Sequence, residues 1–285
     1  MLAIRPRTLP AAAAGVVMGS ALAWRDGFFR LDAALACLIT ALLLQIGSNL
    51  ANDVFDFERG TDTPERLGPV RVTQAGLLTP SQVKVGMAIV FGVAGLFGLY
   101  LAWLGGWPII LIGLAAILSA IAYTGGPFPL GYYGLGDLFV FIFFGLASVA
   151  GTYYVQTGFV SSAAWWMTIP TGLIITAILV VNNLRDLEND RKAGKHTLAV
   201  ILGERATKTQ YLICMVVAYL VLPLVASMEV IPWSSLLAWV SLPLALRATR
   251  LVFTQRGRPL NAALAGTGQT ALLFSILFWV GLLLS

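Results

Sequence analysis

Asn52, Asp56 and Glu58 in NDVFDFE (residues 52–58) recur as Asn182, Asp186 and Glu188 in NNLRDLE (residues 182–188). In each stretch the Asn and the Asp are four residues apart. On a helix such residues share one face, about 6 Å apart along the axis. Asp190 carries the second stripe one turn further, and Asp53 and Asp62 add carboxylate near the first. Two facing stripes of negative charge repel, and a divalent cation between them removes the repulsion. Amide and carboxylate oxygens, with no thiolate or imidazole among them, form a hard donor set that suits magnesium.

Magnesium seldom sits in an all-protein cage and prefers to share its shell with water and phosphate oxygens. The neighbouring cations fit such a ligand. Arg66 and Arg71 follow the first stripe, and Arg185, Arg191, Lys192 and Lys195 surround the second. Acids for a metal beside cations for bare phosphate oxygens make a diphosphate-binding arrangement. The glycine-rich stretches lack the Lys-Ser/Thr ending of a nucleotide phosphate loop.

The elements that carry these residues are strongly apolar. Of the 285 residues, 58% are hydrophobic and 11% charged, whereas soluble domains carry about 25% charged residues. The chain is therefore expected to be an integral membrane protein, a single polytopic domain over residues 1–285. A spanning helix needs roughly 20 apolar residues. Nine candidates appear, at 8–24, 33–51, 83–103, 107–123, 136–155, 164–184, 209–227, 234–253 and 261–284. GGWP (105–108) splits the third from the fourth as a tight turn, and Pro223 could kink or end the seventh. The basic start MLAIRPRTLP leads into a long apolar run without a clean cleavage site, so it reads as an uncleaved first helix.

With the N-terminus cytoplasmic, sixteen of the eighteen Lys and Arg fall on the cytoplasmic side, leaving Arg25 and Arg30 opposite. The formal charge of +5 thus reflects topology rather than a nucleic-acid partner. The C-terminus is then expected outside. Ten of the thirteen acids share the cytoplasmic face, although orientation does not require them there. Cys37 and Cys214 lie in apolar runs and read as buried small hydrophobes. The lone histidine, His196, reads as a solvated loop residue. Gly15 and Gly19 have helix-packing spacing.

A diphosphate site at the membrane face above an apolar interior points to a substrate with both parts, an isoprenyl diphosphate. Its departure leaves an allylic cation, which a dry cavity would protect from water and aromatic faces would stabilise. The aromatic candidates are Tyr123, Phe128, Tyr132, Tyr133, Tyr153 and Tyr154. Tyr123 is favoured because YTGGPFPLG ends a helix on the active face.

The paired acidic stretches resemble those of the UbiA superfamily of intramembrane aromatic prenyltransferases. More narrowly, NDVFDFERGTDTPERLGPVRVTQAGLLTP, NNLRDLENDRKAGKHTLAVILGE, RPRTLP and YTGGPFPLGYYGLGD look like the 1,4-dihydroxy-2-naphthoate polyprenyltransferases of menaquinone synthesis. The resemblance covers most of the chain, with little signature in the last two helices. It implies an all-α ring of nine transmembrane helices around a central cavity open sideways to lipid. A cytoplasmic cap from about 56–82 and 187–208 would cover it. It further implies an inner-membrane enzyme whose partners are a polyprenyl diphosphate, 1,4-dihydroxy-2-naphthoate and membrane lipid.

The implied reaction joins the ring to the prenyl chain at the carbon bearing the carboxylate, with loss of carbon dioxide. By motif match, Asn52 and Asp56 would hold one magnesium ion and Asp186 and Asp190 another. Asp62, six residues after Asp56, is a further candidate ligand. Arg66, Arg71, Lys195 and Arg185 would bind the diphosphate, with Tyr123 near the diphosphate or the cation.

Two other readings start from the same residues. Acids and bases around a membrane cavity could serve a transporter, although here they gather at one face rather than at mid-membrane. A related prenyltransferase could use a phytyl donor, or a hydroxybenzoate, homogentisate or porphyrin acceptor. The RLGPVR stretch argues against the other acceptors.

Overall fold

A computed structural model describes residues 2–61 and 67–285. Asp62 and Arg66 lie outside the described residues. Among those described, nine helical rods and no strands occur. They are α1 Leu9–Arg25, α2 Leu31–Glu58, α3 Pro80–Gly105, α4 Trp107–Ala122 and α5 Gly136–Thr157. They continue with α6 Ser162–Lys192, α7 Leu198–Ser227, α8 Trp233–Thr254 and α9 Leu260–Leu283. Seven are long and apolar enough to cross a membrane, and α1 and α4 are shorter, at 17 and 16 residues. Large apolar side chains such as Leu96, Leu99, Trp103 and Leu118 cover the outer surface. The protein is a multi-pass membrane protein.

Local chemistry sets the boundaries. Thr79 and Gln82 form a reciprocal capping box at the start of α3, with Pro80 at the first helical position. Ser161 and Thr197 cap α6 and α7 by accepting from the N–H groups of Ala164 and Val200. The GGWP turn is as tight as its residues require: Gly106, at φ +75°, is the single residue between α3 and α4.

Two expectations change. Pro223 neither ends nor visibly breaks its helix, and the break in α7 falls instead at Gly203, with φ +79°. The stretches expected to form a cap are also more helical than expected. Because α2 runs to Glu58, α6 to Lys192 and α7 starts at Leu198, the second connection shrinks to 193–197, and the first leaves 59–61 and 67–79 outside helices among the described residues. The acidic stretches therefore lie within the last turns of α2 and α6 and keep helical spacing.

The main core lies among α1, α5, α6, α7 and α9, around Met18, Leu22, Tyr153, Met167, Ile174, Tyr211, Phe274 and Phe278. Gly15 and Gly19 let α1 approach α5. A Cβ on Gly19 would fall 2.5 Å from the Val149 carbonyl oxygen. Within α5, residues Phe141–Ala150 form a π-helical stretch. This wider winding occurs where Phe143, Phe144 and Ala147 line the interior.

Candidate active site

A cavity of about 420 Å³ lies inside the ring. Asn52 and Asp56 from α2 line it together with Asn182, Asp186 and Asp190 from α6. Arg71, Tyr123, Tyr132 and Lys195 line the same cavity. Its deeper wall is apolar and aromatic, including Leu101, Ile109, Phe139, Phe143, Phe144, Ile175 and Leu179. The two acidic stretches, 130 residues apart in the chain, thus face one space.

The third repeated acid turns elsewhere. Glu58 pairs with Lys84 at 2.6 Å and Glu188 with Arg191 at 3.1 Å, all of them well exposed. Two residues beyond the Asp, the Glu points to the other side of its helix.

Asp56 is the centre of the first stripe and is 2% exposed. Its Oδ1 accepts from Tyr132 Oη at 2.5 Å, Lys195 Nζ at 3.0 Å and Thr61 Oγ1 at 3.3 Å. Its Oδ2 accepts from Arg71 Nη2 at 2.5 Å. Such charge-assisted bonds lower the cost of burying a carboxylate. They also place Arg71 and Lys195 within reach of any anion that Asp56 helps to bind. Lys195 Nζ lies 4.5 Å from the centre of the Tyr132 ring as well.

The turns around the site are tied to it. Arg59 donates to the carbonyl oxygens of Thr124, at 3.0 Å, and Gly126. This brings Thr124 Oγ1 within 3.0 Å of Asn52 Oδ1. The backbone N–H of His196 donates to the Tyr132 carbonyl at 2.9 Å, so this residue helps join the two turns. Burial, and then the Asp56 charge, push the Tyr132 hydroxyl above its ordinary titration range. Burial raises Tyr123 likewise, reinforced by Asp137, Asp190 and Asp56. Both phenols therefore stay protonated, and Tyr132 donates to Asp56.

Several expected residues take other places. Arg185 was expected on the diphosphate but does not line the cavity. It is 3% exposed and donates to Asn182 at 2.9 Å, to both oxygens of Asp186 and to Asn261 at 2.7 Å. Its neighbours consume the guanidinium before a substrate could. Tyr153 is fully buried and bonds Asp26 at 2.5 Å, near the opposite ends of α1 and α5. Tyr154 packs in the small core beside Val16 and Leu101. Phe128 and Tyr133 stack on each other at 3.9 Å and are exposed. None of these four lines the cavity.

Two residues gain roles that spacing did not reveal. Asp53, 1% exposed, accepts from the backbone N–H groups of Val72 and Thr73, both at 3.0 Å. It thereby fixes the segment that carries Arg71. Asn261, at the start of α9, reaches both Arg185 and the Leu67 carbonyl.

The donor set fits a hard cation, since it is built of carboxylate and amide oxygens from two helix ends. Among the described residues, no three acidic, thiolate or imidazole side chains gather closely enough to cage an ion alone. That arrangement suits an ion that completes its shell with phosphate oxygens and water.

The model of the UbiA prenyltransferase family matches residues 12–282. The chain is 40% identical to the 1,4-dihydroxy-2-naphthoate octaprenyltransferase of Haemophilus influenzae, covering 98% of this chain and 94% of that protein. It is 42% identical to the enzyme of the same name from Mycobacterium tuberculosis, over 95% and 92% of the two chains. A UbiA homolog from Archaeoglobus fulgidus, solved bound to DMAPP and Mg2+, shares the fold at a TM-score of 0.65. It is 14% identical and matches over 98% of this chain and 99% of that one.

Proposed function

The chain belongs to the UbiA prenyltransferase family, and from that premise we propose how its two helix ends act together. The protein is a 1,4-dihydroxy-2-naphthoate polyprenyltransferase: it transfers a prenyl group from a prenyl diphosphate to the naphthoate ring in menaquinone synthesis. The observation that carries the site assignment is the single cavity shared by Asn52, Asp56, Asp186 and Asp190.

In our reading Asn52 and Asp56 hold one magnesium ion, and Asp186 and Asp190 a second, with Asp62 a further candidate. When bound, the metal neutralises the diphosphate and stabilises its departure. Arg71 and Lys195, already beside Asp56, bind phosphate oxygens, with Arg66 a further candidate. The Tyr132 hydroxyl, held protonated, orients Asp56. Tyr123, on the cavity wall, would stand near the diphosphate or the cation. Arg185 acts on its neighbouring acids rather than on the substrate.

The prenyl carbon–oxygen bond breaks, and its electron pair leaves with the diphosphate. The ring carbon bearing the carboxylate then supplies the electron pair of the new carbon–carbon bond to the allylic carbon. Loss of carbon dioxide from that carbon restores the aromatic ring and yields demethylmenaquinol. Phe139, Phe143 and Phe144 in the apolar wall exclude water and offer π-faces to the cation.

The site and N-terminus face the cytoplasm and the C-terminus lies outside, a reading supported by the charge distribution. Purified protein given dihydroxynaphthoate, magnesium and a ladder of prenyl diphosphates should yield decarboxylated prenylated products by mass spectrometry. Products that retain the carboxylate, or a preference for hydroxybenzoate, would overturn the assigned chemistry.

A further inference from the structure

Asn261 lies 75 residues beyond Asp186 in the chain, yet it connects both halves of the site. Its Oδ1 accepts from Arg185 Nη1 at 2.7 Å, and its Nδ2 donates to the Leu67 carbonyl oxygen at 2.9 Å. The amide can serve only this way round, because a guanidinium offers donors alone and a carbonyl accepts alone. An apolar residue of the same size could satisfy neither neighbour.

Each neighbour leads to a different part of the site. Arg185 directs its Nε and Nη2 groups at Asp186 and Asn182. With Nη1 held by Asn261, every nitrogen of this buried guanidinium has a partner. Its plane is fixed, and with it the orientation of the two oxygen donors that face the cavity. Leu67 lies four residues before Arg71 in the same connection. Asn261 anchors that segment at Leu67, and Asp53 anchors it at Val72 and Thr73. Arg71, which reaches Asp56, lies between the two anchors.

We propose that Asn261 is a positioning residue: through Arg185 it orients Asn182 and Asp186 toward the cavity, and through Leu67 it sets the segment bearing Arg71. It touches no substrate. The proposal rests on the diphosphate–metal reading of the cavity.

The test is calorimetric binding of inorganic diphosphate to detergent-solubilised protein over a magnesium series, with steady-state kinetics alongside. Asn261→Leu removes both bonds. It should raise the magnesium concentration needed for diphosphate binding and for turnover by roughly 10- to 100-fold, the scale of a lost supporting contact at a metal ligand. The KM for dihydroxynaphthoate should stay unchanged, a split that general loosening of the fold would not give. Asn261→Asp keeps an acceptor for Arg185 but loses the donor to Leu67. It should restore the magnesium dependence and leave a raised KM for the prenyl donor.

An Asn261→Leu protein with wild-type magnesium dependence would overturn the proposal. So would Asn261→Asp and Asn261→Leu impaired to the same degree. Should Asn261→Leu fail to assemble, Asn261→Asp alone decides: a raised donor KM at normal magnesium dependence supports the relay, and wild-type values of both overturn it. Absence of magnesium-dependent diphosphate binding in the wild-type protein would instead overturn the underlying site reading.

Discussion

Lys195 Nζ lies 3.0 Å from Asp56 Oδ1, across a chain separation of 139 residues. This contact joins the end of the first acidic stripe to the turn that follows the second. Asp56 is buried and Lys195 nearly so, so the pair is far less screened than one on the surface. Lys195→Ala should raise the KM for the prenyl donor well above any change for the naphthoate, and Lys195→Arg should recover part of the loss. Equal effects on both substrates would remove Lys195 from the diphosphate.

Tyr132 is expected to act as a hydrogen-bond donor to Asp56 and never as a base. A hydrogen bond to a charged group contributes about 1.5–3 kcal/mol, so Tyr132→Phe should lower kcat/KM for the donor by about 10- to 100-fold. Burial and the Asp56 charge push its ionisation upward, so the phenol stays protonated beyond its ordinary range near pH 10. The pH–rate profile up to about pH 9 should therefore keep its shape in the variant. An alkaline limb that disappears with Tyr132 would contradict this role.

Asp53 supports the site without lining it. Asp53→Ala would leave the N–H groups of Val72 and Thr73 without their carboxylate acceptor. Each loss is of the order of 1–3 kcal/mol. A lower thermal midpoint together with weaker donor binding is expected, measured by unfolding in detergent and by kinetics. A variant with normal stability and normal donor KM would show that the segment bearing Arg71 is held by other contacts.

Chelation should abolish turnover, and magnesium should restore it. Calcium, which takes 6–8 oxygen ligands at longer distances, should restore little. Full activity in excess chelator would contradict the assignment of the two stripes.

The helical ring and the paired stripes were legible because both depend on local pattern. Long apolar runs fixed the rods, and an i,i+4 spacing put Asn52 with Asp56, and Asn182 with Asp186 and Asp190, on single faces. Arg185 misled because chain proximity to an acidic stripe does not say which way a guanidinium turns. One residue before Asp186, it forks onto that carboxylate and away from the cavity. Asp53 reads in the sequence only as added carboxylate near the first stripe; its partners are backbone N–H groups some twenty residues away, and no spacing rule announces those. Asn261 is one of several polar residues in the first half of α9, beside Thr267, Gln269 and Thr270, a weak signal that gains meaning only beside Arg185. The sequence favours Tyr123 over Tyr132, whose bond to Asp56 depends on how the YTGGPFPLGYY turn folds back toward α2 and no spacing announces it.

The most direct test is calorimetry of inorganic diphosphate with magnesium on the wild-type protein, Asp56→Asn and Asp186→Asn. One diphosphate per wild-type chain is expected, with binding lost or weakened by more than about 100-fold in each variant, the scale of a lost charge-stabilising contact. Wild-type affinity in either variant, or two independent sites of which each variant keeps one, would contradict the claim that both helix ends grip a single substrate head.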